Sequence, residues 1–233
     1  MHIGILQTGH APDGMAPEGR GYDALFERLL AGQGFTFTTW NVVDMQFPHG
    51  PDEAEGWLVT GSRHGAYEDH PFIPPLEDLI RAIRDSRKPL VGICFGHQII
   101  AQALGGTVEK FGGGWSVGRT EYDWGGETTV LNAWHQDQVT RLPEGASVLA
   151  SSTFCAHAAL LYEGGIFTVQ AHPEFGREAT EFLIEHRGPG TVPDALLEKA
   201  REGLDRPVDN ARLAQMIGRF LRSGKLGLAE DAA

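Results

Sequence analysis

A chain of 233 residues with 41% hydrophobic content can bury one sizeable core and is short for two. Its 19 basic residues against 31 acidic ones leave a net charge of −12, which argues against nucleic acid and against anionic membrane surfaces as partners. Two cysteines, Cys94 and Cys155, make no disulfide framework and fit a reducing cytoplasm.

The segment Met1-His2-Ile3-Gly4-Ile5-Leu6 has no basic n-region, so it reads as a first strand and not as a signal peptide. No apolar run approaches the length of a membrane-spanning helix. Residues 3–6 predict a buried parallel strand. Residues 9–21, with four glycines and two prolines, predict a long mobile loop. Leu25, Phe26, Leu29 and Leu30 fall on one face of a helix over 22–30, which Gly32 and Gly34 stop. Residues 35–40 alternate as a second strand, and 56–60 form a third that ends in the loop Gly61-Ser62-Arg63-His64-Gly65. A second helix over 73–83 opens with Pro74-Pro75 in its first turn.

The next stretch is Val91-Gly92-Ile93-Cys94-Phe95-Gly96-His97-Gln98, a short strand that turns into a helix over 99–104. A nucleophile between two glycines at a strand-to-helix turn is the elbow pattern of acyl-transfer enzymes, with cysteine at the nucleophile's position. The glycines allow close backbone approach, and the turn holds the nucleophile in a strained conformation. The free amides at the helix N-terminus beneath it favour the thiolate.

After Gly105-Gly106 the texture changes. Residues 107–131 are glycine-rich with short β-like pieces, and Gly112-Gly113-Gly114 suggests a flexible flap. Residues 146–150 predict a strand. Residues 157–161 and 166–170 flank Tyr162-Glu163-Gly164-Gly165 as a hairpin whose second strand delivers Ala171-His172-Pro173-Glu174. Residues 177–186 are helical, 188–193 read as a linker, and two more helices follow over 194–203 and 209–222. Leu213, Met216, Ile217, Phe220 and Leu221 give the last helix a full apolar face, which must pack on the body or on a second copy. Residues 224–233 are expected to fray. The division is thus a domain over 1–187 and a linker with helical extension over 188–233.

A thiolate nucleophile needs a base and a group that orients the base. Of ten histidines, His172 stands out: it ends a strand, precedes a proline and has Glu174 two residues on. In an extended segment those two side chains share a face, so Glu174 can fix the imidazole's tautomer. The elbow offers the Phe95 amide to an oxyanion, and a second donor should come from Gly61 or Ser62. His135 and Asp137 are too few for a metal site and read as a loop wall beside the site; no metal or cofactor is expected. Cys155 reads as core, and Trp115, Trp124 and Trp134 either line a cleft or simply pack.

Gly92-Ile93-Cys94-Phe95-Gly96-His97-Gln98 with His172-Pro173-Glu174 resembles the class I (triad) glutamine amidotransferase family over about residues 1–187. The fold this implies is α/β: a doubly wound, flavodoxin-like, mostly parallel sheet with helices on both faces, here with a small β region and a C-terminal helical tail. The resemblance implies Cys94 as nucleophile, His172 as base, Glu174 as orienter and Gln98 as a contact for the substrate's α-amino-acid end. Phe95 with Gly61 or Ser62 would form the oxyanion hole. Many members carry Gly-Gly-Pro where this chain has Gly61-Ser62-Arg63, so the second amide stays open between the two. Residues 42–48, 60–69 and 135–139 look closest to the stand-alone branch, which includes GMP-synthase-like amidotransferase domains and γ-glutamyl peptidases.

The expected activity is therefore cysteine-dependent hydrolysis of γ-glutamyl amide bonds, in glutamine or in γ-glutamyl peptides, through a γ-glutamyl thioester. One alternative is a glutaminase subunit that passes ammonia to a separate synthetase, since this length has no room for a synthetase domain. Another is a non-enzymatic scaffold, which has no physical need for Cys94, His172 and Glu174 together. A homodimer through the C-terminal helices is a further expectation. Side-chain selectivity should lie in loops 9–21, 61–72 and 111–127.

Overall fold

Four short strands with almost wholly buried side chains set the frame. The computed structural model describes residues 1–15 and 21–227. In chain order the strands are His2–Leu6 (β1), Thr36–Trp40 (β2), Gly56–Val59 (β3), Leu90–Ile93 (β4), Thr107–Lys110 (β5) and Ser116–Trp124 (β6). They continue with Glu127–His135 (β7), Asp137–Arg141 (β8), Ala146–Ala150 (β9), Ala159–Tyr162 (β10) and Ile166–Val169 (β11). The helices are Tyr22–Leu29 (α1), Ile73–Asp85 (α2), Phe95–Ala103 (α3), Arg177–His186 (α4), Asp194–Glu202 (α5) and Asn210–Ser223 (α6).

The main sheet runs β2-β1-β3-β4-β11-β10-β9. Its first five strands are parallel, and β10 and β9 extend it antiparallel. Those first five follow the flavodoxin-like order 2-1-3-4-5, in which chemistry sits beyond the carboxyl ends of the strands. Period-two alternation sends β1 and β4 side chains to opposite faces. Ile3, Ile5, Val91 and Ile93 meet Phe26 of α1 and Leu213 and Phe220 of α6. Leu6, Val59 and Leu90 meet Leu76 and Ile80 of α2 and Ile99 and Ile100 of α3. Helices thus cover both faces.

The apolar face of α6 lies against this chain's own sheet: Leu213, Met216, Ile217, Phe220 and Leu221 are all buried in the core that holds Ile5 and Phe167. That face is therefore not the surface on which a homodimer would rest. The stretch 188–193, read as a linker, is a packed turn. The Gly188 amide donates to the Leu183 carbonyl at 2.8 Å, and Val192 is buried against Ile184 and Leu197. Of the segment expected to fray, Leu226 is buried, and residues 228–233 lie outside the described residues, as do 16–20 of the 9–21 loop.

Residues 107–131 hold more regular structure than short β-like pieces. β6 and β7 are nine-residue strands paired without interruption from Ser116 opposite His135 to Trp124 opposite Glu127. Gly125 and Gly126, with φ of 64° and 99°, make the turn. Glycine inside β6 hid the strand pattern: at Gly118, φ is +70°, and a Cβ would lie 2.7 Å from that of Ala200 in α5. The glycine is the seat for α5, not a break. Gly112, Gly113 and Gly114 form the connection between β5 and β6, where the Gly114 amide donates to the Phe111 carbonyl at 3.3 Å. Among the described residues no helix is long and apolar enough to cross a membrane.

Phe220 is fully buried, its ring centroid 5.6 Å from that of Phe167. Phe220→Ala is expected to lower the unfolding free energy by about 3–5 kcal/mol in denaturant titrations. A loss under about 1 kcal/mol would show that α6 adds little to the core.

Candidate active site

Between β4 and α3 the chain reverses within one residue. Cys94 caps α3 with φ 52° and ψ −103°, a conformation costly for any side chain. Its amide donates to the Val169 carbonyl at 2.9 Å, and the Gly96 amide donates to the Thr60 carbonyl at 3.1 Å, so the turn is tied to the strands on both sides. The flanking glycines are sterically required. A Cβ at Gly92 would stand 2.6 Å from the Gly96 carbonyl, and one at Gly96 would stand 2.3 Å from the Val59 carbonyl oxygen. Phe95 buries its ring 6.1 Å from that of Phe72, and its amide, first in α3, has no acceptor within the helix.

His172 and Glu174 come from beyond the end of β11. The hydrogen bond between His172 Nδ1 and Glu174 Oε1 is 2.6 Å, and both residues are buried. They do not meet by strand alternation, however. β11 ends at Val169, and residues 172–175 form a turn closed by the Phe175 amide donating to the His172 carbonyl at 3.2 Å. Pro173 lacks an amide hydrogen and favours such a turn, which folds Glu174 back onto the imidazole. The His172 amide donates to the Asn132 carbonyl of β7, anchoring the turn to the β6–β7 hairpin. Phe175 stacks flat on the imidazole, centroids 4.0 Å apart and planes within 3°.

The imidazole of His172 lies beside Cys94, both against Gly61, and the two groups interact electrostatically. Burial alone would lower the imidazole's pKa. The negative charges of Cys94 and Glu174 and the hydrogen bond to Glu174 outweigh it, and the pKa is raised above the ordinary 6.5. The other buried histidines go the opposite way. Burial pushes His97 down to about 3 and His135 down to about 4, so they stay neutral. His97 Nδ1 is engaged by Thr168 Oγ1 at 2.8 Å.

The loop after β3 closes the site from a third side. A Cβ at Gly61 would lie 3.1 Å from His172 Cε1 and 3.8 Å from Cys94 Cβ. The Gly61 carbonyl accepts from the hydroxyls of Thr8 and Thr60, both at 3.0 Å, and Ser62 Oγ donates to the Thr8 carbonyl at 2.7 Å. Gln98 is buried in the first turn of α3, its amide nitrogen donating to the Asp137 carbonyl at 2.9 Å and to Gln170 Oε1 at 3.1 Å. Gln170 in turn points its Nε2 at Cys94 Sγ, 3.6 Å away.

These groups open onto a cleft of about 500 Å³ shared by Cys94, Gln98, His172, Gly61 and Ser62. Trp115, Trp134, His135 and Asp137 line it as well, whereas Trp124 packs in the core against Phe167. Cys155 is core as expected, its thiol pushed up to about 12 by burial. A thiol beside an imidazole that is bonded to a carboxylate is the set of groups nucleophilic acyl transfer can use. Gln170 and Phe175 escaped sequence reasoning, although Gln170 sits two residues before His172 and so had a positional signal.

The sequence profile of the glutamine amidotransferase class-I family matches residues 65–185. The chain is 34% identical over 181 residues to gamma-glutamyl peptidase 4 of Arabidopsis thaliana, covering 71% of this chain and 72% of that one. It is 33% identical over 183 residues to the glutamine-hydrolyzing GMP synthase of Ralstonia pickettii, covering 66% of this chain and 31% of the synthase. In fold it is similar to the crystal structure of a glutamine amido transferase from Methylobacillus flagellatus, with TM-score 0.78, 23% identity, and coverage of 95% and 94% of the two chains.

Glu174→Gln removes one of the negative charges that raise the His172 pKa while keeping a hydrogen-bond acceptor. NMR titration of the ring should therefore show a lower pKa than in the unaltered protein. An unchanged value would mean that the pair is not electrostatically coupled.

Proposed function

This chain belongs to the glutamine amidotransferase class-I family, and we propose that it hydrolyses γ-glutamyl amide bonds with Cys94 as nucleophile. The observation that carries the reading is the His172 imidazole, which faces the same cleft as Cys94 and is hydrogen-bonded from behind to the Glu174 carboxylate at 2.6 Å.

Cys94 Sγ attacks the γ-carbonyl carbon, and His172 holds the thiol's proton. That proton passes to the leaving nitrogen as the C–N bond breaks, so an amine or ammonia departs and a γ-glutamyl thioester remains on Cys94. His172 then takes a proton from water, whose oxygen attacks the thioester. Free glutamate leaves, and the proton returns to the sulfur. Glu174 keeps Nδ1 protonated, so that Nε2 is the atom that exchanges protons.

The first oxyanion donor is the Phe95 amide. We assign the second to Ser62: the peptide joining it to Gly61 is pinned by its carbonyl to Thr8 and Thr60, and in a trans peptide the N–H points the other way. Donors held in this manner contribute on the order of 10²–10³ in rate each. Gln98 spends both amide hydrogens on the protein, so the group it offers to a ligand is an acceptor, suited to the substrate's α-ammonium.

Arg63, Lys110 and Arg187 line the cleft, and among the described residues none of them forms an ion pair. Lys110 acts on Asp137, which leaves Arg63 and Arg187 as cleft cations in a chain of net charge −12, and these favour a ligand with more than one carboxylate. That supports γ-glutamyl peptides over free glutamine as the substrate class. A thiol nucleophile also requires a reducing compartment, for which we propose the cytoplasm. The likeness to the Ralstonia pickettii synthase favours a second reading, in which the chain is a glutaminase subunit supplying ammonia to a separate synthetase.

The purified chain should release glutamate from a γ-glutamyl dipeptide and, more slowly, ammonia from glutamine. Cys94→Ala should reduce both rates by at least about 10³-fold. Arg187→Gln should shrink the dipeptide's advantage in kcat/KM over glutamine by about tenfold, or 1.4 kcal/mol. Thr8→Val, by loosening the Gly61–Ser62 peptide, should lower kcat about tenfold with little change in KM. No turnover of either compound by the chain alone, with turnover appearing once a synthetase is added, would replace the hydrolase reading by the subunit reading.

A further inference from the structure

The loop that follows β3 carries a second set of ligating groups at the mouth of the cleft. His64, Glu68 and His70 bring one ring nitrogen or carboxylate oxygen each to within 4.8 Å of one another. Glu68 Oε2 lies 2.8 Å from His70 Nε2 and 3.7 Å from His64 Nδ1. The two imidazoles meet edge to face, centroids 4.1 Å apart at 61°, and Phe72 backs both rings at 5.8 Å. Backbone bonds hold the loop in shape: the His64 amide to Ser62 Oγ at 3.2 Å, Glu68 to the Gly65 carbonyl at 3.1 Å, and His70 to the Glu68 carbonyl at 3.0 Å.

We propose that His64, Glu68 and His70 bind one divalent transition-metal cation of the zinc type. Metal-to-ligand distances of about 2.0–2.2 Å in a tetrahedron separate neighbouring ligand atoms by about 3.4 Å. Glu68 lies 2.8 Å from His70 through a hydrogen bond and 3.7 Å from His64, and no pair of the three ligand atoms is more than 4.8 Å apart, so side-chain adjustments of about an ångström admit the ion. Two imidazoles and one carboxylate suit zinc and its neighbours, not magnesium or calcium, which prefer all-oxygen sets. His70 Nε2, hydrogen-bonded to Glu68 Oε2 at 2.8 Å in the metal-free loop, gives up that bond and its proton when it turns to the ion. Three protein ligands leave a fourth position for water or for a carboxylate of a cleft ligand, since His64 and Glu68 line the same cleft as Cys94. The site is separate from the thiol chemistry, which has no step through it.

The test uses the full chain carrying Cys94→Ala, so that the thiol cannot itself take the metal. Titration with Co²⁺ should saturate at one equivalent, with the visible absorption of a tetrahedral site, and Zn²⁺ should displace it. Adding His64→Ala, His70→Ala or the gentler Glu68→Gln should weaken Co²⁺ binding by more than about tenfold. His186→Ala, which alters a cleft histidine outside the set, should not. Circular dichroism and melting temperature establish that each variant is folded. Absence of Co²⁺ and Zn²⁺ binding, or equal affinity in a folded His64→Ala/His70→Ala double variant, would overturn the proposal.

Discussion

The close approach of Gly96 to the end of β3 is the contact on which the site depends. With Val59's carbonyl oxygen where a Cβ would be, α3 starts directly against the neighbouring strand, and the Gly96 amide bonds the Thr60 carbonyl. No larger residue allows this. The turn that results leaves Cys94 at positive φ, a strain of about 1–3 kcal/mol. Burial of Ile93 on one face and of Ile99 and Ile100 on the other offsets it. The same contact brings the Thr60-Gly61-Ser62 corner next to the sulfur, so nucleophile and proposed oxyanion donors are positioned by one packing event.

The second determinant is electrostatic. His172 is surrounded by protein, yet its affinity for a proton rises, because Cys94 beside it and Glu174 at hydrogen-bonding range supply negative charge. His97 and His135, equally enclosed, lack such partners and lose theirs. Flat stacking on Phe175, the bond to Glu174 and the backbone tie to Asn132 fix the ring in plane and position, which a group that must pass protons between sulfur and nitrogen requires.

What could be read from the sequence was what is local. Glycines at two fixed offsets from Cys94, and short apolar runs separated by amphipathic helices, carry their geometry within a few residues. The elbow and the order of strands and helices follow from them, and the doubly wound sheet comes with the family resemblance. Glu174 does meet His172, by a proline-led turn and not by strand alternation, and both arrangements bring residues i and i+2 together. The β6–β7 hairpin was under-read because Gly118 interrupts its pattern for the sake of α5, which is about eighty residues away in sequence. Arg187 and Lys110 in the cleft, and the clustered His64, Glu68 and His70, depend on tertiary contacts or on loop conformation. No spacing rule marks them.

The central claim is that Cys94 becomes acylated. Turnover of a γ-glutamyl anilide, whose good leaving group makes acylation fast, can be quenched with acid and the protein mapped by mass spectrometry. A γ-glutamyl adduct confined to the peptide that bears Cys94 is the predicted result. An adduct on Cys155 instead, or continuing turnover with Cys94 wholly unmodified, would contradict it.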